Sequence, residues 1–185
     1  MKTPRLHFLN LAFISTCLIL SASNCFAQNS HNLSYGAENE EFPKILDLNW
    51  LNEQFLIKQR KRVEEITRTH FGQSLKSGKN NFPLLQRIID EQIIEADDTV
   101  SLQALGVVLG DIFVDSNKNF AWKVYEDDLG KSHAVCVEKT KQCLFPVTML
   151  SKRIENKLKP TVKDVYQKGL DAMQPFLPKL PFSSP

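Results

Sequence analysis

Five carboxylates in the second half of the chain are the side chains best placed for chemistry. Asp111 closes an apolar run, Asp115 follows one helical turn later, and Glu126, Asp127 and Asp128 stand together ahead of Gly130. If the helix end met the turn, Asp111 with Glu126 or Asp127 would form a carboxylate pair. Such a pair can share a proton for acid–base work, as in hydrolases of cell-wall or saccharide substrates, or supply oxygen ligands to calcium. The structural alternative is that Asp127-Asp128-Leu129-Gly130 is ordinary turn chemistry and that Asp111 accepts hydrogen bonds from a neighbouring backbone or from Arg153. Other catalytic sets are missing from the sequence. The three histidines beyond the N-terminal segment, His31, His70 and His133, stand far apart, with no H-E-x-x-H, no G-x-S-x-G elbow and no phosphate-binding glycine loop. Ser151 and Lys152 are adjacent, which is not the S-x-x-K spacing of acyl-serine enzymes. No cofactor and no metal site is indicated.

Cys136 and Cys143 have six residues between them. Val-Cys-Val and Cys-Leu-Phe read as strand on either side of a tight hairpin, so a cross-strand disulfide is expected there. Two free thiols or half of a metal site are the alternatives. Zinc is disfavoured because only His133 lies near and a structural zinc site takes four ligands. Trp122 and Tyr125 are candidates for a recognition surface, although alternation along a strand sends them to opposite faces.

The compartment follows from the N-terminus. Lys2 and Arg5, an apolar stretch over residues 8–20, and Cys25-Phe26-Ala27 before Gln28 have the form of a secretory signal cleaved after Ala27. The apolar core falls short of the roughly 20 residues of a membrane span. Lipidation at Cys25 is the lesser alternative, because Asn24 suits that signal poorly. Cleavage leaves 185 − 27 = 158 residues and one cysteine pair, and it reduces 23 basic against 21 acidic residues to 21 against 21. A neutral mature chain gives no reason to expect nucleic-acid binding, and no stable membrane insertion is expected after cleavage. An even cysteine count suits an oxidising compartment, periplasmic or secreted.

The elements that must position these residues are legible from periodicity. Residues 28–45 read as a flexible lead-in, 46–174 as one globular domain and 175–185 as a proline-rich tail. Asn49 caps an amphipathic helix to about residue 70, whose charge run at 58–65 reads as a solvated face. Pro83 opens a short helix to about residue 95. Asp97-Asp98-Thr99 caps a helix over 100–114 that is apolar nearly all round and therefore central. Its Gly106 and Gly110, four apart, imply a close approach by another backbone. Three strands follow at 120–125, 132–137 and 142–145. Pro146 opens a helix ended by Pro160, and Thr161 caps a last helix to about residue 173. The fold class is α+β: helices, a three-stranded antiparallel meander, then helices, in a single domain.

With these pieces in place a family resemblance emerges. Leu102-Gln-Ala-Leu-Gly-Val-Val-Leu-Gly-Asp111, Trp122, the Glu126-Asp127-Asp128-x-Gly130 segment and Leu144-Phe-Pro-Val-Thr-Met-Leu-Ser-Lys-Arg-Ile-Glu155 together resemble the domain of unknown function 3806 over about residues 50–170. The resemblance implies a small bacterial protein, here an exported one, and brings no activity with it. The family's pattern has no cysteine pair at 136 and 143, so a disulfide would be peculiar to this chain. The function expected is a non-catalytic binding or inhibitory protein, an envelope adaptor or an immunity-type inhibitor with a protein partner in the envelope. A carboxylate-dependent hydrolase is the alternative, and the oligomeric state stays open.

Overall fold

A computed structural model describes residues 42–178, which lie within one compact unit. The signal segment, Cys25 and most of the expected lead-in and proline-rich tail lie outside the described residues.

The chain enters as a three-residue strand, β1 (Lys44–Leu46), and turns into the long helix α1 (Trp50–Phe71). Asn49 caps α1 by accepting the Asn52 N–H at 3.0 Å, and Gly72 ends it in the left-handed conformation (φ 64°) that glycine adopts at little cost. A loop and a single 3₁₀ turn lead to α2 (Phe82–Asp90), then to α3 (Thr99–Ser116). Asp98 caps α3 through the Ser101 N–H at 3.0 Å. Hydrogen bonding from Ser101 holds the Asp98 carboxyl below its usual range.

The strands β2 (Phe120–Asp127), β3 (Gly130–Val137) and β4 (Cys143–Leu144) follow, then the short helices α4 (Pro146–Met149) and α5 (Ser151–Glu155) and the last helix α6 (Val162–Met173). The sheet is antiparallel in the order β1-β2-β3-β4. It has four strands where three were expected. The fourth is β1, whose Lys44 and Ile45 fall inside the stretch expected to be a flexible lead-in. Its residues pair with Glu126, Tyr125 and Val124.

Helices cover one face of the sheet. Phe120 and Val124 of β2, Val135 and Val137 of β3, and Leu144 of β4 are buried there, in step with strand alternation. Above them lies α3, with Leu105, Leu109, Ile112 and Phe113 fully buried. By length and composition α3 would also cross a bilayer, but here its apolar surface is spent on the core. The two glycines earn their places differently. A Cβ on Gly106 would sit 2.4 Å from the Pro146 carbonyl oxygen, so α4 runs against bare backbone as expected. A Cβ on Gly110 would sit 2.1 Å from Cζ2 of Trp122, so the group it admits is an indole ring.

Two helix boundaries differ from expectation. The helix α2 ends at Asp90 rather than near 95, because Gln92 turns left-handed (φ 52°) and the Ile93 N–H closes back on the Ile88 carbonyl at 3.0 Å. The helix expected from Pro146 onward breaks at Leu150 into α4 and α5.

Candidate functional site

The residues singled out by sequence fall into three places. The first is a cleft between α1 and α3, about 580 Å³, bordered by the 72–81 loop and by Trp122. Asp111 sits on its wall. Its Oδ2 accepts Arg60 Nε and its Oδ1 accepts Arg60 Nη2, both at 2.7 Å. Oδ1 also accepts the Trp122 indole N–H at 2.9 Å. The Asp111 bond raises Arg60 above its ordinary value by more than partial burial lowers it. A side-on, two-bond guanidinium–carboxylate contact is the strong form of the pair. The partner is Arg60, not the expected Arg153, whose guanidinium instead donates to the Met149 carbonyl at the break between α4 and α5.

The other carboxylates of the cleft also bind within the fold. Asp115 accepts the Gly78 N–H at 2.8 Å and Glu64 accepts the Leu75 N–H at 2.6 Å. Asn81 closes the loop on itself by bonding both the N–H and the carbonyl of Lys76. These bonds fasten the connection between α1 and α2 across the cleft floor.

The second place is the β2–β3 hairpin. Glu126 and Asp127 were expected in a turn, yet they are the last residues of β2, paired in register with Lys131 and Gly130. Only Asp128 and Leu129 make the turn. Glu126 lies 3.4 Å from Lys131 Nζ, and Asp127 accepts the Leu129 N–H at 3.0 Å. Asp111 is thus an acceptor for Arg60 and Trp122, while Glu126 and Asp127 find their partners within the hairpin. Among the described residues no three His, Cys, Asp or Glu side chains gather as metal ligands.

The third place is the sheet face away from the helices. Cys136 and Cys143 are directly opposed in register and joined by a disulfide with Cα atoms 4.0 Å apart. The neighbouring Val137 N–H bonds the Gln142 carbonyl, so the cysteines occupy the close, non-hydrogen-bonded position of the antiparallel ladder, where side chains approach best. Tyr125 is on this face, its ring edge-on to Phe145 with centroids 5.1 Å apart. Trp122 points the other way, onto Gly110. The two aromatics do not form one surface. Lys123, also on the outer face, pairs with Asp47, and that contact lowers the Asp47 carboxyl.

Sequence reading missed His133 as anything but a lone histidine. Its ring stacks on Phe55 of α1, centroids 4.5 Å apart and 10° from parallel. Burial lowers its pKa from the ordinary value of 6.5, and its buried Nε2 finds no hydrogen-bond partner among the described residues. Only strand alternation, which puts residue 133 on the same face as 135 and 137, hinted at this.

The arrangement defines a class: an α+β domain in which a layer of helices covers one face of a four-stranded antiparallel sheet. Within it, residues 81–166 match the family of the domain of unknown function DUF3806, and the chain carries that domain there. The match takes in Asp111, Trp122 and the cysteines, and leaves out β1 and α1 with Arg60. No curated protein matches in sequence. A solved structure from Bacteroides thetaiotaomicron VPI-5482 is similar in fold, with a TM-score of 0.64 at 14% identity over 73% of this chain and 50% of that one. This chain thus spans half of that protein's length, and the likeness concerns the fold alone.

Proposed function

We propose that the protein is an exported, non-catalytic binding protein of the bacterial envelope, acting as an adaptor or immunity-type inhibitor on another envelope protein. The observation that carries this reading is the engagement of the three candidate carboxylates: Asp111 accepts three bonds from Arg60 and Trp122, Glu126 pairs with Lys131, and Asp127 accepts a turn N–H. A general acid or nucleophile needs a carboxyl free to meet substrate, and these three are already engaged by neighbouring groups of the fold. The signal-like N-terminus, with cleavage after Ala27, and the Cys136–Cys143 disulfide support a periplasmic or secreted location, since disulfides persist in oxidising compartments.

The test uses residues 28–185, purified in oxidised form. Incubated with envelope extract, the protein is expected to recover one partner at fixed stoichiometry, in a complex that survives gel filtration. With peptidoglycan or oligosaccharide substrates it is expected to release no product. Hydrolysis that disappears in Asp111→Asn, with the fold retained, would overturn the reading.

A further inference from the structure

The core is tight enough at Gly106 and Gly110 that neither position has room for a methyl group. Where the end of α2, the start of α3 and the end of α5 converge, a pocket of about 220 Å³ opens to solvent beside the exposed Gln92, Ala96 and Leu158. The walls here are apolar: Ile88, Ile89 and Ile94 from the α2 end, and Leu102 and Leu105 from α3, all buried.

Two helix ends form the mouth. Gln92 (φ 52°) and Lys157 (φ 60°) are two of the three non-glycine residues with left-handed backbone among the described residues, and both line this cavity. Each closes its helix end identically. The Gln92 and Ile93 N–H groups bond the Ile89 and Ile88 carbonyls, and the Lys157 and Leu158 N–H groups bond the Ile154 and Arg153 carbonyls. Those carbonyls are therefore already occupied. The charged groups left at the mouth are Lys157, Lys159 and Glu95, a net excess of one positive charge, and neither lysine is ion-paired among the described residues. Leu158 stands beside them 59% exposed, an apolar side chain at the rim of an apolar hole. Both helix ends are ordinary left-handed caps, and they bring Lys157, Lys159 and Glu95 to the rim.

We propose that this cavity binds a free medium-chain carboxylate, its alkyl chain against Ile88, Ile89, Leu102 and Leu105 and its head group at Lys157 and Lys159. A methylene needs about the volume share of a water in the liquid, roughly 30 Å³, so the cavity accommodates a chain of about seven carbons. The site is distinct from the Asp111 cleft, and binding there does not depend on a protein partner.

The probe is sodium octanoate with the oxidised protein of residues 28–185. Calorimetry is expected to show binding at millimolar concentration, with a rise in melting temperature, since a ligand that binds only the native state stabilises it. Methyl NMR is expected to place the shifts on Ile88, Ile89 and Leu105. Octylammonium should bind more weakly than octanoate. The double variant Lys157→Gly, Lys159→Gln should bind octanoate about fivefold more weakly, as loss of two exposed charge contacts implies. Ala96→Trp, at an exposed wall position, should block the mouth and weaken binding about tenfold or more while circular dichroism shows the fold intact. Absence of binding, shifts centred elsewhere, or a folded Ala96→Trp that binds like the parent would overturn the proposal. Equal affinity for octanoate and octylammonium would overturn the assignment of the head group.

Discussion

Replacing Asp111 with alanine removes three acceptor contacts at once, those to Arg60 Nε, Arg60 Nη2 and the Trp122 indole N–H. Hydrogen bonds to charged groups contribute about 1.5–3 kcal/mol each when their loss leaves a buried partner unsatisfied. Here the partners are only part-buried: the Arg60 and Asp111 side chains keep 36% and 26% of their surface exposed. Water reaches the freed guanidinium and screening reduces the pair's worth. The expected loss is therefore about 2–3 kcal/mol for the whole set, not the full sum. For a domain of this size that is a fall in melting temperature of about 10 °C.

The assay is urea unfolding of residues 28–185 followed by tryptophan emission. The chain has two tryptophans, so a Trp50→Phe background isolates Trp122; Trp50 is exposed and its loss should cost little. In that background Asp111→Ala should also shift the native-state emission, because the indole loses its carboxylate acceptor. A cycle with Arg60→Met should give a coupling energy of about 1–2 kcal/mol. A stability loss below about 0.5 kcal/mol with unchanged Trp122 emission would refute the view that Asp111 is a structural acceptor.

Gly110→Ala puts a methyl group 2.1 Å from the Trp122 ring; the indole must move, and a loss of about 1–3 kcal/mol is expected, with a changed Trp122 signal in the same Trp50→Phe background. Opening the disulfide by Cys136→Ala with Cys143→Ala frees a loop whose ends are seven apart in sequence, and chemical denaturation should show a loss of about 2 kcal/mol, the low end for a short loop. His133 carries a pH signature. Burial lowers its native pKa below the unfolded value of 6.5, so below pH 6.5 the unfolded chain takes up a proton that the native state resists. Stability should be full above 6.5, fall as pH drops towards the native pKa, and level off beneath it. His133→Phe, which keeps an aromatic against Phe55, should flatten that fall in denaturation midpoints between neutral and mildly acidic pH; an unchanged slope would dismiss His133 as its source.

The parts of the fold governed by local chemistry were legible before any coordinates. Asn49 and Asp98 announce their helices because each side chain caps its own backbone three residues on. The apolar run at 100–114 marks the central helix, and the cysteine spacing marks a hairpin pair. What escaped depends on partners distant in sequence. Three residues, Lys44–Leu46, are too few to show alternation, and they become a strand only because Val124 to Glu126 offer a free edge. Ile93 and Ile94 prolong the apolar period of α2, so nothing local signals that the helix stops at Asp90. Gln92 and Lys157 hold left-handed backbone where glycine or asparagine would have advertised it. The cavity they frame was invisible for that reason.

Arg60 is the most instructive omission. In sequence it is one cation within the charge run Lys58-Gln-Arg-Lys-Arg62, which reads as a solvated helix face, and its partner lies 51 residues away. In the structure it joins α1, which lies outside the DUF3806 match, to Asp111 within it, the same carboxylate that accepts the Trp122 N–H. Leu56, Val63 and Thr67 of α1 are buried as well, and β1, also outside the match, pairs with β2. The unit defined by sequence similarity is thus smaller than the unit that buries its own core. The matched span supplies the central helix and three strands. The segment before it covers the helix face, fills the fourth strand position and provides the cation that holds the carboxylate on which a catalytic reading of this protein would have rested.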